Sequence, residues 1–414
     1  MAQQCIVGLD IGTASVKAVV AERQGRRLVP RLFLKEEAGG MRRGAIVDLG
    51  EITSPVARVF SEIRKVYRHM PKEVYASIGT AHARTQQSRG IIAVSRADSE
   101  IYQDDIERAV KASQAINLPL NRMIIHNVVR EFIVDGVPDI VDPLGLSGSR
   151  LEVNSLIVDA FSPHIKSLMR VVEMANGQIA GLVFSPLAAS KAALTKAQKD
   201  LGVVLIDIGA GTTGMAIWEE NKLVAVAKFP VGASHLSNDL AIGLKVPVTI
   251  AESLKLNYGF AISKDVGSKE TVEMSKFMPD ARGAVARRFI SEIIEARLSE
   301  IFEFVNNEIK SHGKFGQLAG GAVIVGGGSK LPGLTELAKQ ELRLSAQIGM
   351  ATDGDWHMET LTHTGYMEDP EFMTALGLVL WGTHQDAGSV SESMGAGAKK
   401  LGNWVKSALK PFMP

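Results

Sequence analysis

Short apolar runs that end in turns of small residues appear twice, far apart along the chain. The first segment is CIVGLDIGTASVKAVVAERQGRRLV and the second is GVVLIDIGAGTTGMAIWEENKLV. Each contains an apolar strand, Asp-Ile-Gly, a small-residue turn, a second β-rich strand, a polar turn and a further strand. A supersecondary unit that occurs twice predicts a fold with two related halves.

Between the two units the pattern predicts a small α+β insert of two strands, a helix and two strands. VYASIG and GIIAVS precede the helix in SEIYQDDIERAVKASQAINLP, and NVVREFIVDGV and RLEVNSLIVDAF follow it. Asp104, Asp105 and Glu107 occupy the early turns of the helix, where its dipole favours negative charge. The predicted inner face of the helix comprises Ile106, Ala109, Val110 and Ser113.

Helical spacing dominates the chain after the second unit. ARRFISEIIEARLSEIFEFVNNEIK is predicted to be a helix, and AVIVGGGSKLPGLTELAKQEL a strand, a glycine-rich turn and a helix. DAGSVSESMGAGA is small and polar, which predicts a flexible linker before the last segment.

The last segment, KKLGNWVKSALKPFMP, has its apolar residues on one helical stripe. The stripe comprises Leu401, Trp404, Val405, Ala408, Leu409 and Phe412, and the lysines beside or opposite it are Lys399, Lys400, Lys406 and Lys410. Pro411 has no N–H, so we expect the helix to end near Lys410. A docked core helix is the alternative. The preceding linker, the single sign of charge and the Trp within the stripe favour a helix lying in a membrane interface.

The composition limits the classes of function. With 414 residues, 46% of them hydrophobic, the chain has ample material for a large core. A formal charge of +1 creates no global field, so we expect no nucleic-acid partner. The single cysteine, Cys5, fits a reducing compartment. We expect neither a signal peptide nor a membrane-spanning segment, and the nine scattered His residues do not predict structural zinc.

The two Asp-Ile-Gly turns have the residue types needed to bind phosphate. Glycine lets the backbone approach an anion, and backbone N–H groups in such a turn can surround phosphate oxygens. The predicted phosphate-binding residues are Gly12, Thr13, Ala14, Ser15 and Lys17 in the first turn, and Gly209, Gly211, Thr212 and Thr213 in the second. Asp10 and Asp207 would hold Mg²⁺ through water, because Mg²⁺ gives up its hydration shell reluctantly.

A single Asp-Gly turn would be weak evidence, because such turns are common in hairpins. Here two copies have matching strand contexts, and a third glycine-rich turn, Gly326–Ser329, precedes a helix. The combination favours a nucleotide site over ordinary hairpin chemistry.

GLDIGTASVK, LIDIGAGTTG and VIVGGGSKLPG resemble the phosphate-1, phosphate-2 and adenosine motifs of the actin/hexokinase/chaperone-ATPase superfamily, in the usual order. SPLAASKAAL and TALGLVLWG occupy the places of its two connecting helices. The resemblance implies an α/β, actin-like (ribonuclease H-like) fold of two halves that binds ATP.

The insert resembles the IC subdomain of the FtsA family of bacterial actin-like cell-division proteins, through EIYQDDIERAVKASQAINLPLNRMIIHNVVREFIVDG and DPLGLSGSRLEV. GASHLSNDLAIGL and AESLKLNYG resemble the FtsA stretch that enters subdomain IIB. The implied bounds are IA at 1–78 and 161–197, IC at 79–160, IIA at 198–228 and 308–370, IIB at 229–307, a helix returning to IA at 371–384, a linker at 385–398 and an amphipathic membrane-targeting helix at 399–414.

The resemblance also implies ligands and partners. Glu252 and Lys255 would contact the ribose or base, and Gly326, Gly327 and Ser329 would form the adenosine turn. Such a protein would polymerise with ATP on the cytoplasmic side of the membrane at the division site and recruit later division proteins. It would bind the C-terminal peptide of the tubulin homologue FtsZ on IIB; the candidate residues are Arg297, Arg287 and Arg288.

Two positions depart from the related sequences. FtsA-like chains usually carry Asp after the Thr-Thr of phosphate-2, where this chain has Gly214. Hydrolytic relatives place Gln or Glu near the position of Ser185 to orient the attacking water. A serine hydroxyl without assistance is a poor general base, so we expect ATP binding with slow hydrolysis at best.

Two other functions are possible for a protein with these motifs. One is an FtsA-like pilus-assembly protein of the PilM type, which grips the cytoplasmic peptide of a membrane protein. The other is a sugar or acetate kinase, which would need a substrate cleft with a catalytic Asp on the first half. The amphipathic tail and AESLKLNYG favour the FtsA-like function, and the insert offers no such Asp.

Overall fold

Two five-stranded sheets with the same strand order form the centre of the protein. Its computed structural model describes residues 4–25, 27–67, 73–278, 283–352, 356–357 and 364–386. The elements that precede the insert are β1 (Gln4–Ile11), β2 (Ser15–Gln24), β3 (Arg27–Glu37), β4 (Met41–Arg42), β5 (Ala45–Ile46), α1 (Leu49–Val66) and β6 (Glu73–Ile78).

The insert forms a separate antiparallel sheet with one helix packed on it. Its elements are β7 (Arg84–Ala93), α2 (Gln103–Ser113), β8 (Arg122–Val134), β9 (Val137–Ile140) and β10 (Arg150–Phe161). The strand order is β7-β10-β8-β9. The predicted inner face of α2 is confirmed, because all four of its residues are buried. One expectation was wrong: VYASIG, as β6, pairs with β1 in the sheet of the first half and lies outside the insert.

The chain returns from the insert to complete the first half. The next elements are α3 (Ser162–Met174), β11 (Gln178–Phe184) and α4 (Ser185–Ala193). The first sheet then has the order β11-β6-β1-β2-β3. Its core includes Leu9, Val19, Phe60 and Phe184, which are almost fully buried. Each such side chain stabilises the fold by about 1.5–3 kcal/mol relative to an exposed one.

The second half repeats this arrangement. Its elements are α5 (Lys196–Leu201), β12 (Val203–Ile208), β13 (Thr213–Glu219), β14 (Lys222–Phe229), α6 (Ala233–Leu244), α7 (Val248–Tyr258), β15 (Thr271–Glu273), β16 (Ala284–Ala286), α8 (Arg287–Ser311), β17 (Gly321–Val325), α9 (Leu334–Leu342) and β18 (Ala346–Ile348). The sheet order is β14-β13-β12-β17-β18. As in the first sheet, the central strand pairs antiparallel with its successor and parallel with a later strand. The prediction of two related halves is confirmed.

Two more helices, α10 (Thr364–Glu368) and α11 (Met373–Asp386), end the described part of the chain. The helices α4 and α11, which come from the two segments expected to connect the halves, pack on each other. Ala188 of α4 and Leu376 of α11 share a core with Leu9 of β1. Within the described ranges, no helix has the length and apolarity needed to cross a membrane.

Candidate functional site

The two Asp-Ile-Gly segments end β1 and β12 and begin the turns to β2 and β13. In the first turn the Gly12 N–H donates to the Ser15 carbonyl at 3.0 Å. In the second the Gly209 N–H donates to the Thr212 carbonyl, also at 3.0 Å. The same bond closes both turns, as expected if each Asp-Ile-Gly lies where a strand reverses its direction.

The tips of these two turns approach each other at Thr13 and Gly211. The cleft is the region between the two turns, with Asp10 on one side and Asp207 on the other. A Cβ atom on Gly211 would lie 2.8 Å from Thr13 Oγ1, so a side chain at position 211 would collide with the first turn. Among the described residues, no acceptor is found for the backbone N–H groups of Thr13, Ala14, Ala210 and Gly211. Neighbouring N–H groups without acceptors in a turn form a concave site suited to an anion.

Asp10 is held at the end of β1 by two neighbours. Lys17 lies opposite it in the β1–β2 register, with Nζ 3.1 Å from Asp10 Oδ2, and Ser77 Oγ donates to Asp10 Oδ1 at 2.6 Å. Burial alone would lower the pKa of Lys17, but the Asp10 carboxylate raises it above its ordinary value. The ammonium beside the first turn therefore stays charged, as a phosphate-binding lysine must.

Asp207 occupies the corresponding place at the end of β12 and is 9% exposed. Burial raises the pKa of its carboxyl group; Lys228, 3.7 Å away, opposes this rise, and the negative charge of Asp10 adds to it. The two aspartates thus interact electrostatically across the cleft. A cation between them would relieve their repulsion.

Sequence reasoning missed Lys228, which lies opposite Gly214 in the β13–β14 register. Its side chain is 4% exposed, and its Nζ donates to Ser185 Oγ at 2.7 Å. A Cβ atom on Gly214 would lie 3.3 Å from that nitrogen. The ammonium therefore lies beside the position where FtsA-like chains usually carry Asp. The signals in the sequence were Gly214 at a position where Asp was expected and the second lysine of the otherwise apolar strand KLVAVAKF.

The third glycine-rich turn lies against Asp207. Gly326 has a φ of +85°, and a Cβ atom there would lie 2.5 Å from Asp207 Oδ1, so only glycine fits. Ser329 Oγ donates to the Gly326 carbonyl at 2.7 Å, so the hydroxyl closes the turn itself. A Cβ atom on Gly327 would lie 3.5 Å from Glu371 Oε1.

Glu252 and Lys255 lie on α7 and form a cluster with Ser237 of α6. Lys255 Nζ is 2.7 Å from Glu252 Oε2 and donates to Ser237 Oγ at 3.0 Å and to the Ala233 carbonyl at 3.3 Å. The Ala233 N–H in turn donates to the Gly209 carbonyl at 2.8 Å. The cluster is therefore joined to the second hairpin turn through a single residue.

Sequence reasoning also missed Glu371, which lies just before α11. Its carboxylate accepts from Lys35 of β3 and, at 3.0 Å, from Lys330 next to the third turn. Burial would raise the pKa of Glu371, but these two ammonium groups hold it below its ordinary value. Because Lys35 belongs to the first half and Lys330 to the second, the charged carboxylate joins the halves beside the cleft.

Among the predicted phosphate-binding residues, Thr213 has its hydroxyl group already used. Thr213 is fully buried, and its Oγ1 donates to the Val231 carbonyl at 2.8 Å, which ties β13 to the segment before α6. The structure brings the other predicted residues of the two turns together at the cleft; Ser15 and Thr212 are buried there, and Ala14 is exposed.

The three arginines suggested as partner contacts all lie on α8 and have intramolecular acceptors. Arg297 binds both carboxylate oxygens of Asp239 on α6, at 2.6 and 3.0 Å, and also contacts Glu300. Arg287 donates to the Tyr258 carbonyl at 2.9 Å and pairs with Glu270, whereas Arg288 lies on the surface near Glu292. The membrane residues predicted between Lys399 and Phe412 lie outside the described residues.

Two family models match parts of this chain. The family model of cell division protein FtsA matches residues 204–377, and that of the SHS2 domain inserted in FtsA matches residues 80–159. Cell division protein FtsA of Bacillus subtilis (strain 168) is 30% identical over 373 residues, which cover 90% of this chain and 82% of that protein. FtsA of Borreliella burgdorferi is 30% identical over 416 residues, covering 99% and 98% of the two chains.

Solved structures show the fold independently. A chain of the PilM-PilN type IV pilus biogenesis complex superposes with a TM-score of 0.65 at 17% identity, covering 91% of this chain and 98% of that one. MreB5 of Spiroplasma citri bound to ADP superposes with a TM-score of 0.55 at 12% identity, covering 92% and 96%. These likenesses confirm an actin-like fold, and the sequence relatives show the function. The chain belongs to the FtsA family of cell division proteins, and its role is in bacterial cell division.

Proposed function

We propose that this protein binds ATP between the two hairpin turns and tethers FtsZ filaments to the inner face of the cytoplasmic membrane. The observation that carries the nucleotide part is the pair of facing turns. Four of their backbone N–H groups have no acceptor among the described residues, and the Lys17 ammonium lies beside them. The phosphates of a nucleotide supply the acceptors that these donors lack.

The residues present also fit Mg²⁺. Asp10 and Asp207 end the two central strands, and the pKa of Asp207 responds to the charge of Asp10. Among the described residues, no cluster of three His, Cys, Asp or Glu side chains forms a metal centre. Two carboxylates with phosphate oxygens and water suit Mg²⁺, which usually keeps several waters. The ion would neutralise charge on the phosphates, while Lys17 and the turns hold them.

The adenosine would lie between the third turn and α7. Gly326 lets the backbone come close to Asp207, and Glu252 has a side chain that is 43% exposed beside the buried Lys255. Glu252 and Lys255 would contact the ribose or base, and Gly327 would back the adenosine. Ser329 would act indirectly, because its hydroxyl maintains the turn.

A Lys17→Met substitution tests nucleotide binding. It removes the ammonium beside the first turn, so we expect the affinity for a fluorescent ATP analogue to fall about tenfold or more. The exposed lysine variant Lys65→Met is the matched control and should bind like the wild type. An unchanged affinity in Lys17→Met would contradict the proposed phosphate site.

We propose slow ATP hydrolysis, or none, by the isolated protein. Ser185 begins α4, where hydrolytic relatives have Gln or Glu, and its hydroxyl accepts a hydrogen bond from Lys228. A hydroxyl beside an ammonium is a weak base for an attacking water. Fast, partner-independent phosphate release in a steady-state assay would overturn this part of the proposal.

The tether would use the C-terminal amphipathic helix. Four lysines near an anionic leaflet contribute at most about 4 kcal/mol, and each large apolar side chain that inserts adds about 1.5–3 kcal/mol, less the free energy of ordering the helix. One copy should therefore bind weakly and reversibly. A polymer that forms with ATP would bind firmly, because it presents many copies at once.

Liposome flotation in ATP, with and without residues 395–414, tests the tether. We expect the full chain to float with anionic vesicles and the truncated chain to stay in the soluble fraction, while both bind ATP. If the truncated chain floats equally well, the proposed role of the tail is wrong.

The C-terminal peptide of FtsZ would bind on the α6–α8 surface, where Arg297 lies. Ile242 on α6 is 77% exposed, which offers apolar area near the Asp239–Arg297 ion pair. Arg287 and Arg288, which lie on α8 together with Arg297, are further candidates for this contact. The anchored polymer would then recruit later division proteins at the division site.

Two variants separate a contact from a structural role for Arg297. Arg297→Ala removes the guanidinium, whereas Asp239→Asn breaks the same ion pair and leaves the guanidinium in place. If Arg297 touches the peptide, Arg297→Ala should weaken binding of a labelled FtsZ peptide about tenfold, and Asp239→Asn by no more than about threefold. Equal losses in the two variants would mean that Arg297 only holds α6 on α8.

Membership of the FtsA family supports a role in cell division over the two alternatives. The PilM-PilN structure shares the fold at 17% identity, whereas relatives at 30% identity over 90% or more of the chain are cell division proteins. The kinase alternative has no support from these relatives.

A further inference from the structure

A cavity of about 440 Å³ opens where the insert, the first half and the second half meet. It shares no lining residue with the two hairpin turns. Its walls come from β8, α4, α5, β13, β14 and α11, so an occupant would touch both halves and the insert at once. The volume lies within the range of about 300–1,000 Å³ that is usual for small-molecule sites.

One wall of the cavity is apolar and aromatic. Val128, Leu187 and Leu223 line it together with the indoles of Trp218 and Trp381. Trp218 is 8% exposed, and among the described residues its Nε1–H donates to no acceptor. A buried indole N–H normally finds a partner, so this donor indicates an acceptor that would enter the cavity.

Other residues of the cavity lining carry positive charge. The buried Nε of Arg130 also lacks an acceptor among the described residues. The Lys199 ammonium lies 4.8 Å from the centre of the Trp218 ring, and in the described ranges it has no carboxylate within ion-pair distance. Burial lowers the pKa of Lys199 to about 8, so the group still carries its charge for most of the time at neutral pH. Lys196 extends the positive charge to the exposed rim.

Two buried donors without acceptors among the described residues, Trp218 Nε1–H and Arg130 Nε–H, therefore line the same cavity as the Lys199 ammonium and the apolar wall. An occupant with acceptor oxygens would supply the hydrogen bonds that these donors lost when burial removed them from water. Glu220 is the acidic residue on the cavity lining, and its side chain is exposed. It lies near Lys222, which also pairs with Asp139 at 2.9 Å. The net charge of the lining is therefore strongly positive in a chain whose overall charge is +1.

We propose that this cavity is a binding site for a small organic anion with a flat apolar body. The acidic group would lie near Lys199, Arg130 and the Trp218 N–H, and the body would pack on the aromatic wall. This inference does not depend on ATP binding at the hairpin turns.

Two dyes that share one ring system test the proposal on the full chain. Anilinonaphthalene sulfonate carries an acidic group, and phenylnaphthylamine is the same body without it. We expect saturable binding of the sulfonate, and we expect Lys199→Met to weaken it about tenfold while the affinity for the uncharged dye changes less than about twofold. Fluorescence titration measures both affinities.

Lys310→Met is the matched control, because Lys310 also lies over an aromatic ring, 5.0 Å from the centre of Phe315, but outside the cavity. It should leave both affinities unchanged. Lys196→Met, at the exposed rim, should weaken the sulfonate about threefold even if Lys199→Met fails to fold. The proposal is overturned if Lys196→Met and Lys199→Met leave sulfonate binding unchanged, if the two dyes lose affinity equally, or if Lys310→Met has the same effect.

Discussion

Two lysines with little solvent exposure accompany two aspartates where the halves of the protein meet. Lys17 is 3.1 Å from Asp10, and Lys228 is 3.7 Å from Asp207. The sequence motifs singled out Lys17 as a phosphate-binding residue and Asp10 as a metal ligand, but they did not predict that the two side chains form an ion pair. The second lysine, Lys228, comes from β14 and lies opposite Gly214. A positive charge therefore lies beside the position where the resemblance led us to expect a negatively charged Asp. The cleft therefore contains a fixed cation that the motifs alone do not reveal.

At the residue scale, this fixed cation should make ATP binding less dependent on Mg²⁺. In EDTA, the Asp207 carboxylate of Lys228→Met would face the phosphates with no neighbouring cation. We therefore expect the ATP affinity of Lys228→Met to be about tenfold below that of the wild type in EDTA, but within about threefold of it in Mg²⁺. Titration of a fluorescent ATP analogue in the two buffers measures this difference. An equal loss in both buffers would show that Lys228 acts only on the fold.

At the scale of single elements, α2 shows how one side chain begins a helix. Asp105 is 1% exposed, its carboxylate accepts from the Tyr102 N–H at 3.0 Å, and it also contacts Arg108 and Arg96. The sequence predicted only that negative charge would favour this end of the helix. The structure shows in addition that Asp105 is buried and closes the first turn, while Asp104 stays exposed.

Asp105→Ala should therefore destabilise the insert by about 1–3 kcal/mol at neutral pH. Burial would raise the pKa of Asp105, but the Tyr102 N–H and Arg108 hold it below its ordinary value of 3.8. A lowered carboxyl pKa stabilises the fold above 3.8, and that contribution is lost as the pH falls through the folded value. Urea unfolding of wild type and variant should thus differ at pH 7 and converge in strong acid. Asp104→Ala, in which an exposed neighbour is removed, should change stability by less than about 0.5 kcal/mol at either pH.

The helix proposed for the C-terminal segment gives a second prediction for a single element. Trp404→Glu places a charge in the apolar stripe, which should weaken binding to anionic vesicles about 100-fold and leave ATP binding unchanged. Asn403→Glu adds the same charge on the opposite side of the predicted helix, because a rotation of about 100° per residue places Asn403 about 190° from the centre of the apolar stripe. It should weaken binding only about fivefold. Vesicle flotation compares the variants, and equal losses would argue against an inserted stripe.

At the scale of the whole molecule, the proposed membrane anchor and the proposed ATP-dependent polymer together predict cooperative membrane binding. Flotation of the wild type in ATP should rise steeply with protein concentration, because polymerisation joins many tails. A peptide of residues 395–414 has no body to polymerise and should follow a simple hyperbola. Lys17→Met should resemble the peptide. A hyperbolic curve for the wild type in ATP would contradict the proposed polymer.

The contact between the halves is also a property of the whole molecule. Glu371 accepts from Lys35 of the first half and Lys330 of the second, next to Gly327 of the third turn. No local pattern marks Glu371, since the three residues are far apart in the sequence. Glu371, Lys35 and Lys330 come into contact only when both sheets and α11 have folded and packed together.

Four features could be predicted from the sequence alone: the two repeated units, the insert, the inner face of α2 and the resemblance to FtsA-like motifs. These features depend on local alternation, helical spacing and turn residues, which one segment of chain carries alone. The strand pattern placed VYASIG in the insert, because such a pattern does not specify the sheet in which a strand pairs, whereas the bounds implied by the resemblance leave all but Gly79 of it in IA. The tertiary structure was needed to show that this strand pairs with β1 and that Lys228 is buried beside Asp207. It was also needed to show that the Thr213 hydroxyl donates to the Val231 carbonyl and that a cavity lies beside Trp218. Each of these is a meeting of distant segments, where burial and the need to pair polar groups act on residues that the sequence does not place side by side.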